Sequence, residues 1–203
     1  MKRNHSVIFR LFNYYIAATM SLLTFTACSE RDDTVQEYAD WKNKNEQFFE
    51  AAYLSDDYDL KLKKYSLGTS YVAGHTDYVL VDKLGSEMGA PEVTPYLSDT
   101  VQIHYVGRLI PSPSYSTGYQ FDQSYLAPFD IDTAVPSKFA VSAVVPGFGT
   151  ALMQMHRGDY WLVVVPYQLG YGTSENGTIP AYSTLIFEVR LEDFWTKEKG
   201  DRY

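Results

Sequence analysis

The stretch that most constrains this chain is "TLIFEVRLEDF", residues 184–194. In an extended backbone Leu185, Phe187, Val189 and Leu191 fall on one side, and Glu188, Arg190 and Glu192 on the other. Successive strand side chains point to opposite faces, so this two-residue period describes a strand with one face on a core and one toward water. Strands of parallel sheets are covered on both faces and read as unbroken apolar runs, so the alternation favours an antiparallel sheet. "DYVLV" (77–81), "TVQIHYVGRL" (100–109) and "YWLVVV" (160–165) share the enrichment in β-branched and aromatic residues, and turn signals separate them.

Among these strands a single helical stripe occurs. Phe148, Ala151, Leu152 and Met155 follow the Pro146-Gly147 turn at i, i+3, i+4 and i+7. The expected fold class is therefore α+β, a twisted antiparallel sheet wrapped on one short helix. Upstream, 34–58 lacks Pro and Gly and spaces Tyr38, Trp41, Phe48, Phe49 and Ala52 near three and four residues apart, which predicts a helix. Asn45 interrupts its apolar stripe, so a helix lying on the main domain is favoured over a pairing arm, which needs a cleaner seam. Residues 59–75 read as a connection.

The first 27 residues have the plan of an export signal. Lys2, Arg3 and Arg10 precede the uncharged "LFNYYIAATMSLLTFTA", and small residues lead to Cys28, the sole cysteine. Asn13 and several Thr and Ser weaken a membrane-spanning reading. The pattern resembles a bacterial lipoprotein signal, with Cys28 acylated as the first mature residue and Phe25 standing where Leu is usual. That resemblance implies a lipid-anchored envelope protein, outer-membrane by the polar, acidic "SERDDT" tether, facing periplasm or surface. One cysteine allows no intramolecular disulfide. Removing three of the 17 basic residues with the signal leaves 14 against 25 acidic ones, a net charge of −11. So acidic a chain repels phosphate backbones, which argues against nucleic acid as a partner.

Five blocks then appear in order: "VQIHYVGRL", "FDQS", "VVPGFGTALMQMHRGD", "VVVPYQLGYG" and "TIPAYSTLIFEVRLEDF". From Asp77 to Trp195 they resemble FKBP-type peptidyl-prolyl isomerases in order and near-spacing. The resemblance implies an FKBP-like half-barrel over 76–196. It would follow a signal (1–27) and a tether with helical extension (28–75), and precede a tail (197–203). It also implies an isomerase that assists folding of exported, proline-containing polypeptides, uses no cofactor or metal, and takes macrolide ligands. A binding module on the same scaffold with little turnover is the alternative.

By that resemblance Phe148 is the floor on which a prolyl ring rests, and Tyr105, Phe121, Val144, Val145, Tyr171, Ile179 and Phe187 complete the pocket. Phe139 is a further candidate. Tyr171 would give its hydroxyl to a substrate carbonyl, the Ile179 N–H would hold another, and Asp122 would orient the amide from the pocket edge. Read without the family, Phe148, Tyr105 and Phe187 are equally plain core residues.

This sequence departs from the family at several points. Phe148 replaces a usual Trp, Thr178 stands where isoleucine is frequent, and insertions at 110–120 and 127–138, the latter holding Phe129, flank "FDQS". Other signals do not develop. Gly170-x-Gly172 is followed by Glu175 where a dinucleotide loop needs glycine. "RGD" at 157–159 falls in the expected helix-to-strand turn. His75, His104 and His156 share no metal-ligand spacing, and His104 is expected to face out beside an inward Tyr105.

Overall fold

Long antiparallel pairing of β3 (Asp99–Leu109) with β7 (Leu185–Thr196) forms the spine of the molecule. The computed structural model describes residues 36–86, 93–125 and 134–196. The export segment, Cys28, Phe129 and the C-terminal tail lie outside the described residues. Among the described residues no helix is long and apolar enough to cross a membrane.

From the spine the sheet extends through β6 (Tyr160–Val165) and β2 (Tyr78–Gly85) to β1 (Leu60–Lys63), all antiparallel. On the other side of β3 two short strands share one edge. β4 (Gln120–Gln123) pairs with Val106–Arg108, and β5 (Ser137–Ala140) with Thr100–Ile103. The four long strands lie where the residue pattern puts them. The three four-residue strands do not stand out in the sequence, because a stretch that short carries too few residues to show a period. Residues 59–75 are therefore not only a connection: β1 lies within them, so the sheet begins before position 76.

One short helix, α2 (Pro146–Leu152), packs against β2 and β6. Its predicted stripe is buried throughout, Met155 lying just past the helix end. The N-terminal segment also forms its helix, α1 (Trp41–Leu54), shorter than 34–58 and buried along Trp41, Asn45, Phe49 and Ala52. Its apolar residues join the same core as the sheet.

His104 departs from expectation. It points away from the Tyr105 side, yet it is buried, because the outer sheet face is covered: the Tyr125 ring meets it edge-on at 6.3 Å. Tyr160, Glu188 and Arg190 complete a cavity of about 260 Å³ there. Burial pushes the His104 imidazole below its ordinary pKa. The Arg-Gly-Asp turn is occupied internally, with Gly158 at φ 81, Arg157 against Asp193, and the Asp159 carboxylate accepting from the His156 N–H.

Gly147 explains why a glycine follows Pro146. A Cβ there would lie 2.4 Å from Val165 Cγ1 and 3.0 Å from both Leu169 and Val79, so the absence of a side chain lets α2 settle on the sheet. Gly147→Ala should cost about 1–3 kcal/mol in urea unfolding. Gly68→Ala, at an open position, should change stability by less than about 0.5 kcal/mol.

Candidate active site

The inner face of β7 presents Phe187, and residues from two other elements converge on its ring. Phe148, in the first turn of α2, stacks on it with centroids 4.3 Å apart and planes 21° from parallel. Phe121 of β4 meets it edge-on at 5.8 Å and 88°. Both offset-stacked and edge-on arrangements suit the quadrupole of aromatic rings. Phe148 is 4 % exposed, so most of its ring is committed to this packing. Phe121, Val144 and Val145 are half-buried, the two valines leading into α2 with Val145 as its N-cap.

Tyr105, on the inner side of β3, donates its O–H to Asp122 Oδ2 at 2.6 Å and meets the Phe139 ring edge-on at 5.7 Å. Burial chiefly, and then this bond to a carboxylate, pushes the Tyr105 phenol well above its usual pKa. Tyr171 is 39 % exposed. Burial of its remainder raises its pKa, and the Asp122 charge adds to the shift. Both phenols therefore stay protonated donors across the neutral range. Asp122 itself is exposed at the rim of this cluster.

The structure thus forms two contact groups, Tyr105 with Asp122 and Phe139 and Phe187 with Phe148 and Phe121, which adjoin at the neighbouring β4 residues Phe121 and Asp122, with Tyr171 within the field of the same carboxylate. Ile179 differs. Its N–H, expected to hold a substrate carbonyl, donates to the Asn176 carbonyl at 2.9 Å, and the Ile179 carbonyl accepts from Asn176 in return. Gly177 at φ 57 closes that turn, which is why the N–H is already used. The Ile179 side chain is buried.

Two contributors were missed in the sequence. Gly107 has no room for a side chain, since a Cβ would lie 2.5 Å from Phe121 and 3.1 Å from Phe187. A glycine inside the alternating "HYVGRL" was the available signal, because mid-strand glycine marks close approach. Ser124, the last residue of "FDQS", receives the Tyr105 N–H on its hydroxyl at 2.8 Å and returns its own N–H to the Tyr105 carbonyl at 2.9 Å. It ties β4 to β3 beside the Tyr105–Asp122 pair.

A twisted antiparallel sheet cupping one short helix is the fold that the five ordered blocks implied. Residues 92–192 match the model of FKBP-type peptidyl-prolyl cis-trans isomerases, and the chain belongs to that family. The FKBP-type 22 kDa isomerase of Escherichia coli K12 is 38% identical over 98 residues, 48% of this chain and 42% of that protein. The macrophage infectivity potentiator of Trypanosoma cruzi is 36% identical over 113 residues, 55% of this chain and 52% of its own length. The crystal structure of FkpA from Escherichia coli superimposes with a TM-score of 0.55 at 27% identity, covering 77% of this chain and 60% of that one. The match thus spans about half or less of the relatives' own length.

Tyr105→Phe keeps the ring and removes the donor. Hydrogen bonds to charged groups contribute about 1.5–3 kcal/mol when buried, and less beside solvent, so urea unfolding should show a loss of about 1 kcal/mol. Unchanged stability would mean that the bond to Asp122 contributes nothing in solution.

Proposed function

We propose that this chain is a peptidyl-prolyl cis-trans isomerase acting on proline-containing segments of exported polypeptides. The observation that carries the reading is the Phe148–Phe187 stack, walled by Phe121 and edged by the Tyr105–Asp122 pair and the half-exposed Tyr171. The prolyl ring rests against the Phe148 and Phe187 edges, between Phe121, Val144 and Val145. Ile179 and Phe139 contribute apolar wall rather than polar contacts.

The chemistry follows from the peptide bond. Conjugation sets a barrier of roughly 18–20 kcal/mol, and uncatalysed X-Pro isomerisation takes about tens to hundreds of seconds. At the twisted transition state the amide loses conjugation and much of its dipole. Water solvates the planar dipole better, so an apolar aromatic wall favours the twisted form relative to solution. Each ~1.4 kcal/mol of that difference is a tenfold rate gain. The Tyr171 hydroxyl donates to a substrate carbonyl, and Asp122, held by Tyr105, aligns the amide from the rim. No proton changes hands.

The same apolar wall supports binding of macrolide ligands, and the signal pattern ending at Cys28 supports tethering to the bacterial envelope through acyl chains. The 28–75 segment then combines a tether with α1, followed by the isomerase domain. Replacing Cys28 by Ser, with the signal exchanged for a cleavable one, should move the protein from the membrane to the soluble fraction, because acyl chains are its proposed anchor. Continued membrane association of that variant would refute the anchor.

Isomerisation of a proline tetrapeptide by the chain from residue 29 onward is the direct test. The rate should be nearly flat between about pH 5.5 and 8, since Tyr105 and Tyr171, whose pKa values are raised, remain protonated there. A bell-shaped profile would indicate acid–base chemistry instead. Phe148→Ala should lose most activity at a stability cost of roughly 3–5 kcal/mol. Phe148→Trp should remain folded, with equal or higher activity and tighter macrolide binding by calorimetry, despite about 1–3 kcal/mol of overpacking. A folded wild-type chain that leaves the tetrapeptide unaccelerated would leave a binding module in place of an enzyme.

A further inference from the structure

The connection between β6 and β7, residues 166–184, carries Tyr171 and Ile179, and a single 3₁₀ turn, Tyr167–Leu169, is its regular structure. It is held from outside by one face of α1. The Trp41 indole N–H donates to Ser183 Oγ at 2.8 Å, and that hydroxyl donates to the Pro180 carbonyl at 2.7 Å. Asn45, wholly buried, accepts the Thr184 N–H on Oδ1 at 2.7 Å and donates from Nδ2 to the Trp41 carbonyl at 2.8 Å. One residue on, Glu46 accepts the Tyr167 O–H at 3.0 Å. Lys42 Nζ stands 5.4 Å from the centre of the Tyr182 ring.

These contacts grip both ends of the connection, and its internal bonds carry the grip to Tyr171. The Tyr167 carbonyl receives the N–H groups of Gly170 and Gly172, at 3.0 and 2.8 Å, on either side of Tyr171. The Gly172 carbonyl receives the Tyr182 N–H at 2.9 Å. Tyr182 has φ 64, a left-handed backbone that bulky residues adopt only where the surroundings over-determine it. Its next two neighbours are the residues that Trp41 and Asn45 hold. A polar Asn in the middle of an apolar stripe is costly unless its groups are satisfied, and here it is satisfied by the site loop.

We propose that α1 is a positioning element of the isomerase site, in which Trp41 and Asn45 set the placement of Tyr171 by holding residues 167–184. The inference rests on the isomerase reading above. Misplacement of a catalytic group by about 1 Å can cost about a hundredfold in rate, so a loop tethered at both ends serves the reaction and not only the fold.

The test uses the full chain purified in detergent, with Trp41→Phe, Ser183→Ala and the double variant, and Glu50→Ala on the exposed side of α1 as control. Trp41→Phe keeps an aromatic ring in the core and removes the donor along with some ring volume, whereas Ser183→Ala removes the acceptor with little change of volume. Tetrapeptide kinetics and amide hydrogen exchange are read together. Each single variant should lose about tenfold in kcat/KM, mainly in kcat, and the double no more, because all three lack the same bond. Amides of Gly172, Tyr182 and Thr184 should exchange about tenfold or more faster, while those of β3 and β7 keep wild-type protection.

Kinetics within about twofold of wild type overturn the proposal whatever the loop amides do. So do unchanged loop amides, or loss of protection shared by loop and sheet, which is general loosening. A double variant showing the product of both losses assigns Trp41 and Ser183 to separate contacts and overturns it as well. An inactive wild type refutes the isomerase reading and the positioning role with it. An active wild type with neutral variants refutes the positioning role alone.

Discussion

The ring of Phe187 is the point on which this architecture depends. It stands on a strand paired to β3 from Asp99–Thr196 to Leu109–Leu185, and Phe148 and Phe121, from a helix and an edge strand, both come to rest on it. Because side-chain direction alternates along a strand, slipping β7 by one residue would turn Phe187 outward and bring Glu188 into the core. The alternation of "TLIFEVRLEDF" therefore secures the site as well as the sheet. Gly107 is the complementary condition, an empty position in β3 that Phe121 and Phe187 fill.

The N-terminal extension is continuous with this arrangement. Trp41, Phe49 and Ala52 enter the same core as the sheet, and α1 bonds to the loop that carries Tyr171. Just before it, Glu37 accepts bonds from Ser112 Oγ and the Ser114 N–H, anchoring the insertion that follows β3. The Ser112 bond holds the Glu37 carboxyl below its usual pKa. The segment before position 76 thus supplies a strand, a helix and two loop anchors to the domain that follows.

The chain has 18 tyrosines and an excess of acids, and the two meet in the folded domain. Three phenols donate to carboxylates on strands or on α1: Tyr105 to Asp122, Tyr160 to Glu188 and Tyr167 to Glu46. Each pairing adds to the burial that keeps the phenol protonated. Glu188 is also held by Arg108 at 2.9 Å, so the outer sheet face is an organised polar surface and not bare strand. His104 is buried beneath it for that reason.

Much of this molecule is determined locally. Two-residue alternation in β7 and β-branched, aromatic runs in three further long segments set the sheet, and one 3.6-residue stripe sets the helix within it, because covering one face of a strand or helix imposes a period that the residues themselves must carry. The order of five blocks pointed to the aromatic cluster and to Tyr105, Asp122 and Tyr171. The rest was decided by contacts between residues far apart in the chain. Four-residue strands β1, β4 and β5 exist because longer neighbours offer them an edge. The Ile179 N–H is taken by a turn that no single residue announces. Asn45 breaks an apolar stripe when read along the chain, and becomes intelligible only when the Thr184 N–H, 139 residues away, meets it in the core. A hydrogen bond needs two partners, and a sequence pattern shows one at a time.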